Sequence, residues 1–303
     1  MNYKDLLEKN NLKVNKYTFK GKVIIIDTPL GNFVLKPNYN KNYNYNYLLS
    51  RGFNFLPEII DYNDNYILYK YIEDISYDES QKCLDFIKIL SILHNKTAHY
   101  KEVDYLYFKN IYENLNNRIN DLIDYYNELA NLIENNVYYS PSNYLIIRNI
   151  SLIFSCLNFL KNELYSWYDL VKNNRKIRIC SNYNNIDLSN LLKDKDSTYL
   201  LSTQYLKEDM PIYDLLLFYK KYCLSYDFSY LLNAYEKIFP LSIEEKKLLF
   251  IYISVPNKMV FTTNELQNVL YVRKEIDLLL NTSFVLSSKE KKQTDNNENK
   301  INE

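Results

Sequence analysis

The glycines of this 303-residue chain stand at 21, 31 and 52, and none follows Gly52. A loop that cradles phosphates with backbone N–H groups needs several glycines, because the backbone must approach closely and adopt positive φ. Neither G-x-G-x-x-G nor G-x-x-x-x-G-K-[ST] occurs. The dinucleotide-binding and P-loop forms of an α/β fold are excluded on that ground.

Composition narrows the class further. The chain is 47% hydrophobic and 24% charged, enough to bury one large core or two modest ones. Its formal net charge is +0. A balanced chain has no global attraction to nucleic acid or to an acidic membrane, so neither is expected as a partner. The 33 tyrosines accompany abundant Asn, Lys and Ile, the pattern of an AT-rich coding bias rather than of a selected tyrosine surface. Cys83, Cys156, Cys180 and Cys223 are scattered, with no CxxC and no Cys/His cluster. That spacing points to neither a zinc site nor a disulfide framework, and fits a reducing, cytoplasmic setting. The first residues carry no apolar run, so no signal peptide is expected. No run of ~18 uncharged apolar residues is evident, so no membrane span is expected.

Along the chain, residues 3–10 read as a short helix. Leu12–Phe19, Lys22–Ile26 and Asn32–Leu35 are β-prone, with turns at Lys20-Gly21 and Pro29–Asn32, which predicts an antiparallel meander. Lys41–Arg51 follows as a helix candidate without an acid, and Pro57–Asp61 and Tyr66–Tyr71 as two more strands. Beyond Asp74 the period changes to that of helices. Ser80–Thr97 carries Cys83, Leu84, Phe86, Ile87, Ile89, Leu90 and Leu93 at helical spacing, and ends in Leu93-His94. Asp104–Asn136 reads as one or two helices with Leu115, Ile119, Leu122, Ile123, Tyr126, Leu129 and Leu132 on a face. Pro141 interrupts before another long helix, Leu145–Lys172. Tyr213–Leu224, Tyr226–Ile238 and Thr263–Leu280 complete the helical set. Pro240–Glu245 is a helix start, with Ser242 as cap and Glu244 and Glu245 in the first turn. Lys289–Glu303 has almost nothing to bury and reads as a disordered tail. With two histidines and no convincing nucleophile motif, no hydrolase triad is evident.

The segment from Arg178 to Asp214 carries the chemistry. A β-prone run (Lys176–Cys180) enters a polar loop that closes on Asn190-Leu191-Leu192. A polar turn, a second β-prone run (Thr198–Leu201) and a helix opening Met210–Leu215 follow. This order resembles the catalytic segment of the aminoglycoside phosphotransferase and choline kinase branch of the kinase-like fold: strand, His-x-Asp-x-x-x-x-Asn, hairpin, apolar-Asp, helix. Within that superfamily, Gly31–Lys36, the Leu-His helix end, Pro240–Glu245 and Pro256-Asn257-Lys258 look most like bacterial spore-coat-associated kinase-like proteins. The resemblance covers roughly residues 10–280. It implies an α+β, bilobal protein-kinase-like fold: a small antiparallel β lobe over residues 1–73, a large helical lobe over 74–286 and a tail over 287–303.

The resemblance also assigns positions. Lys36 falls on the lysine that reaches the phosphates, and Tyr69–Tyr71 on the segment beside the adenine, so Lys36, Tyr69 and Tyr71 are candidate cofactor contacts. Asn190 falls on the metal-binding Asn, Ser202 on the metal-binding Asp and Asn185 on the catalytic Asp. Tyr183 falls on the family's His, and Asp214 on a structural Asp at the start of the following helix. Phosphoryl transfer needs a lysine, metal ligands, a base and charge balance. Asn185 cannot accept a proton near neutral pH. Ser202 is a weak ligand for a hard cation. The helix Lys41–Arg51 has no acid for Lys36, and the first acid downstream is Glu58. A missing general base alone removes ~10²–10⁴-fold in rate.

Two readings follow. In the first, the chain is a degenerate kinase-like protein, a binding or scaffold module with spore coat or other proteins as partners. In the second, it is an active ATP-dependent small-molecule phosphotransferase using displaced acids, Asp187 foremost, with Asp194, Asp196 and Asp209 nearby. The resemblance implies ATP and Mg²⁺ as cofactors, while the residues secure neither.

Overall fold

The structure is a computed structural model that describes residues 3–38 and 43–301. In chain order the elements are α1 (Tyr3–Lys9), β1 (Lys16–Lys20), β2 (Val23–Thr28), β3 (Gly31–Pro37), α2 (Tyr43–Ser50), β4 (Ile59–Tyr62), β5 (Tyr66–Lys70) and α3 (Glu79–Thr97). Next come β6 (His99–Glu102), α4 (Leu106–Glu134), α5 (Pro141–Val171), β7 (Lys176–Asn182), β8 (Leu191–Lys193), β9 (Thr198–Leu200) and β10 (Lys207–Asp209). Helices α6 (Ile212–Tyr222), α7 (Phe228–Glu236), α8 (Ile243–Ser254) and α9 (Glu265–Ile301) close the chain. The architecture is α+β, an antiparallel sheet in the N-terminal region and helices in the C-terminal region, as expected.

The chain divides into two compact units. The first comprises residues 1–99, 180–209 and 237–239; the second comprises 100–179, 210–236 and 240–303. The sequence boundary at residue 73 does not mark this division. Its physical reason is a set of hydrogen bonds that hold the β8–β9 hairpin to the N-terminal residues. Leu200 N–H donates to Phe55 O at 2.7 Å, Ile75 N–H to Lys193 O at 2.8 Å and Lys193 N–H to the Asp74 carboxylate at 2.9 Å.

In the first unit the main sheet has strand order β1-β2-β3-β5-β4, all antiparallel. The two-residue turn between Lys20 and Val23 uses Gly21 at φ +59°, where a side chain would be strained. Alternation sorts the strands into two faces. Ile24, Ile26, Leu35 and Leu68 pack with Leu6 and Leu7 of α1 into a core cluster. The opposite face carries Val23, Ile25, Val34, Lys36, Ile67 and Tyr69, which line cavities.

In the second unit α5 packs against α4, α8 and α9. Ile146, Ile153, Leu157, Leu160, Leu164 and Trp167 form its buried row, at helical spacing. By length and composition alone α5 could cross a membrane. No run of ~18 uncharged residues lies within it, however, because Arg148 and Lys161 interrupt the apolar stretch. On α4 the buried row is Leu115, Ile119, Leu122, Tyr126 and Ile133. Leu132, expected on this face, is exposed, because the 3.6-residue period carries the row to Ile133. Pro141 does not interrupt but starts α5 at its first turn, where a missing N–H costs nothing.

Helix α9 continues to Ile301, where a disordered tail is expected from residue 287. Residues 302–303 lie outside the description.

Candidate functional site

Strand β7 leads into the polar loop, and its sequence dictates the loop's closure. Asp187 caps a 3₁₀ turn at Leu188–Asn190, accepting from Ser189 N–H at 2.8 Å and from Ser189 Oγ–H at 2.6 Å. Asn190 N–H donates to Asp187 O at 3.0 Å, and Leu201 N–H to Asn190 O at 2.8 Å. The buried Tyr183 donates its hydroxyl to Leu201 O and meets Phe86 edge-on at 5.9 Å. Thus the tyrosine at the expected histidine position braces the loop against the residue that precedes Ser202.

The side chain of Asn190 is spoken for at both ends. Its Nδ2 donates to Asn185 O at 3.1 Å, and its Oδ1 accepts from Ser202 Oγ at 3.2 Å. Ser202 sits at φ +59°, left-handed backbone that a serine adopts only under tertiary constraint. Asn185 is half-buried. The structure therefore brings Asn190, Ser202 and the backbone carbonyl of Asn185 together into a chain of neutral hydrogen bonds.

Lys36 projects from β3 into a cavity of about 510 Å³ lined by Lys22, Asn44, Tyr45, Tyr69, Ser202 and Gln204 among others. No carboxylate lines it. Lys36 Nζ lies 5.8 Å from the centre of the Tyr69 ring, a cation–π contact. Burial depresses the pKa of this ammonium, the charged form being the one penalised. Among the described residues no acid pairs with it. Glu58 turns instead to Lys70 at 3.8 Å, both exposed. Residues 39–42, the start of the expected helix, lie outside the description.

A second, smaller cavity of about 240 Å³ shares Val23, Lys36 and Tyr69 with the first. Its walls are mostly apolar: Val23, Ile25, Val34, Ile72, Leu192 and Leu201, with Tyr71 at the side. Burial pushes the Tyr69 hydroxyl up to about 12, so it is neutral at all ordinary pH. Tyr71 N–H is already committed to Asn32 O at 3.1 Å. Tyr69 and Tyr71 thus both line the smaller cavity, and Lys36 borders both cavities.

The displaced acids stand elsewhere. Asp187 is the cap just described. Asp194 closes the β8–β9 turn, accepting from Asp196 N–H, Ser197 N–H and the Tyr199 hydroxyl, and these bonds, led by the one from Asp196, hold its carboxyl below its usual pKa. Asp209 lies on exposed β10. None of them lines either cavity. A Mg²⁺ ion does not fit the donors present: an amide oxygen already accepting a hydrogen bond and a neutral hydroxyl are poor company for a hard cation. Among the described residues no cluster of three His, Cys, Asp or Glu could hold a metal.

Sequence reasoning missed the contributions of Asn44 and Tyr45 on α2 and of the turn Thr203–Tyr205. Asn44 Nδ2 donates to Thr203 O at 3.1 Å, which ties these two elements together. The alternation Tyr-Asn-Tyr-Asn-Tyr in α2 was the available signal, since it leaves the polar side chains of Asn44 and Tyr45 ahead of the buried Leu48. His94, expected as a core or helix-end histidine, is buried and meets Phe239 edge-on at 6.1 Å. His99 lies 4.0 Å from Glu208.

No protein-family model matches this sequence, and no curated protein is significantly similar to it. Solved structures do match. An aminoglycoside phosphotransferase from Alicyclobacillus acidocaldarius aligns with a TM-score of 0.60 and 8% identity, over 92% of each chain. An AMP-bound spectinomycin phosphotransferase aligns with a TM-score of 0.51 and 14% identity, over 92% of this chain and 97% of the other. At such identities the likeness is one of backbone, and it establishes that this chain has the kinase-like fold of the aminoglycoside phosphotransferases.

Proposed function

We propose that this chain is a catalytically silent protein on an aminoglycoside-phosphotransferase scaffold, working as a binding module rather than transferring phosphate. One observation carries the reading. The positions where the phosphotransferase pattern places carboxylates hold Asn185 and Ser202, and the Ser202 hydroxyl is hydrogen-bonded to Asn190. Without a base, a metal ligand or an acid beside Lys36, the scaffold has nothing with which to take the acceptor's proton or balance a triphosphate. The engagement of Asp187 and Asp194 in local turns supports the same reading, because a displaced base would need one of them in the cavity. The short motifs shared with spore-coat-associated proteins make a coat protein, met in the cytoplasm of a sporulating cell, the partner to try first.

The test is ADP release from Mg·ATP with aminoglycosides and choline offered as acceptors. The expected rate equals that of buffer. Protein-dependent ADP release that disappears in Lys36→Ala overturns the reading. If release disappears in Asp187→Ala as well, the chain is an active phosphotransferase using a displaced acid.

A further inference from the structure

The second unit holds a cavity of its own, of about 150 Å³, walled by α4, α5, β7 and the start of α8. Its apolar wall is made by Phe108, Trp167, Val171, Met210 and Leu248, all buried. The rings of Phe108 and Trp167 meet edge-on at 6.2 Å. Sites for drug-sized molecules commonly span ~300–1,000 Å³, whereas an apolar cavity of ~150 Å³ accepts benzene. Size therefore selects a single aromatic ring. Such a ring also gains from contact with the two aromatic side chains beyond the area it buries.

The charges that line the cavity select what the ring carries. Arg178 is committed: its Nε donates to Glu245 at 2.9 Å, and its Nη2 donates to Glu245 and, at 2.8 Å, to Pro240 O. Glu245 is held by that pair and by the capping box. Lys176 lies 3.7 Å from Glu102. Glu244 remains, a half-buried carboxylate with no ion-pair partner among the described residues. The lining thus keeps one uncompensated negative charge, which a cation complements and an anion would repel. The exposed Tyr100 adds a ring face on which the same cation can rest. We infer that this cavity binds a small arylalkylammonium ion of the phenethylamine type. The ring lies against Phe108 and Trp167, and the ammonium lies at Glu244.

Trp167 is the only tryptophan of the chain, so its emission reports on this cavity. The test is titration of the full chain with phenethylamine, followed by Trp167 fluorescence and, in parallel, by calorimetry. Phenylacetate, propylamine and phenethyl alcohol are the comparison ligands. The expected result is a saturable change of emission with phenethylamine, at least about tenfold tighter than with phenylacetate or propylamine. Glu244→Gln should weaken phenethylamine about tenfold and leave phenethyl alcohol unchanged. A cooperative melt close to that of wild type shows that this variant is folded. Absence of saturation at millimolar phenethylamine overturns the inference, as does full phenethylamine affinity in folded Glu244→Gln. Phenylacetate binding as tightly as phenethylamine overturns it too. Heat of binding without any change of emission puts the ligand away from Trp167 and has the same consequence. ADP release in the turnover assay sinks the silent-site reading and leaves this inference standing, because Glu244 and Trp167 take no part in that reading.

Discussion

The hydroxyl of Ser202 donates to the side-chain oxygen of Asn190 across 3.2 Å. Two positions at which the phosphotransferase pattern puts cation ligands thus satisfy one another. This pairing can be challenged by restoring charge.

Ser202→Asp places a carboxylate against Asn190 Oδ1, an acceptor facing an acceptor. The left-handed backbone at 202 tolerates Asp, so the cost lies in the lost hydrogen bond and the repulsion, about 1–3 kcal/mol. The melting temperature should fall, and Mg²⁺ should restore part of it. The double variant Asn185→Asp/Ser202→Asp should still release no ADP, because Lys36 has no acid partner. Thermal melts with and without Mg²⁺, together with the turnover assay, check both statements.

Lys36 gives a pH signature. Its pKa is lowered by burial, so between its folded value and the unfolded value of 10.5 the unfolded chain binds the extra proton. Stability from this group therefore rises with pH through that window, and the penalty is complete below it. Lys36→Met should melt above wild type near pH 7, and the gap should shrink as the pH approaches 10.5. A gap that stays constant or widens on raising the pH would contradict the assignment.

In the second unit Glu245 serves two partners. It accepts from Arg178 Nε at 2.9 Å and also from Arg178 Nη2, and it accepts from Ser242 N–H at 2.9 Å, completing a capping box. Glu245→Ala leaves a partly buried guanidinium without its carboxylate and removes the side-chain half of the capping box, at a cost of about 3–5 kcal/mol. Ser242→Ala removes only the cap, about 1 kcal/mol. Urea unfolding of the two variants should preserve that order.

Tyr183→Phe removes one buried donor and leaves Leu201 O short of a partner. The expected loss is about 1–2 kcal/mol. Hydrogen exchange should show faster opening at Leu201, whose N–H bonds Asn190 O, than in the main sheet. Uniform acceleration throughout the first unit would mean that the hydroxyl braces more than this loop.

Much of the fold is legible in local pattern. Strands β1 to β5 and helix α3 follow from alternation, turn residues and helical period, and the capping box at Ser242–Glu245 is visible as a four-residue signature. Strands β6 and β10 are not. They read His-Tyr-Lys-Glu and Lys-Glu-Asp, exposed throughout, so no burial pattern marks them. They are strands only because β7 runs between them in one three-stranded sheet.

The same divide runs through the site. By itself the sequence determined which residue types stand at the positions the resemblance assigns, since an amide at Asn185 and a hydroxyl at Ser202 are matters of residue identity and need no coordinates. It also placed Lys36 next to the end of a strand, Asn32–Leu35. Only the tertiary structure decided what fills the gap. The Ser202–Asn190 bond joins residues 12 apart in sequence. The turning of Glu58 to Lys70 and the absence of any acid from the Lys36 cavity depend on packing among segments distant along the chain. Such contacts are set by the fold as a whole, since hydrogen-bond partners and burial belong to neighbours in space and not to neighbours in sequence.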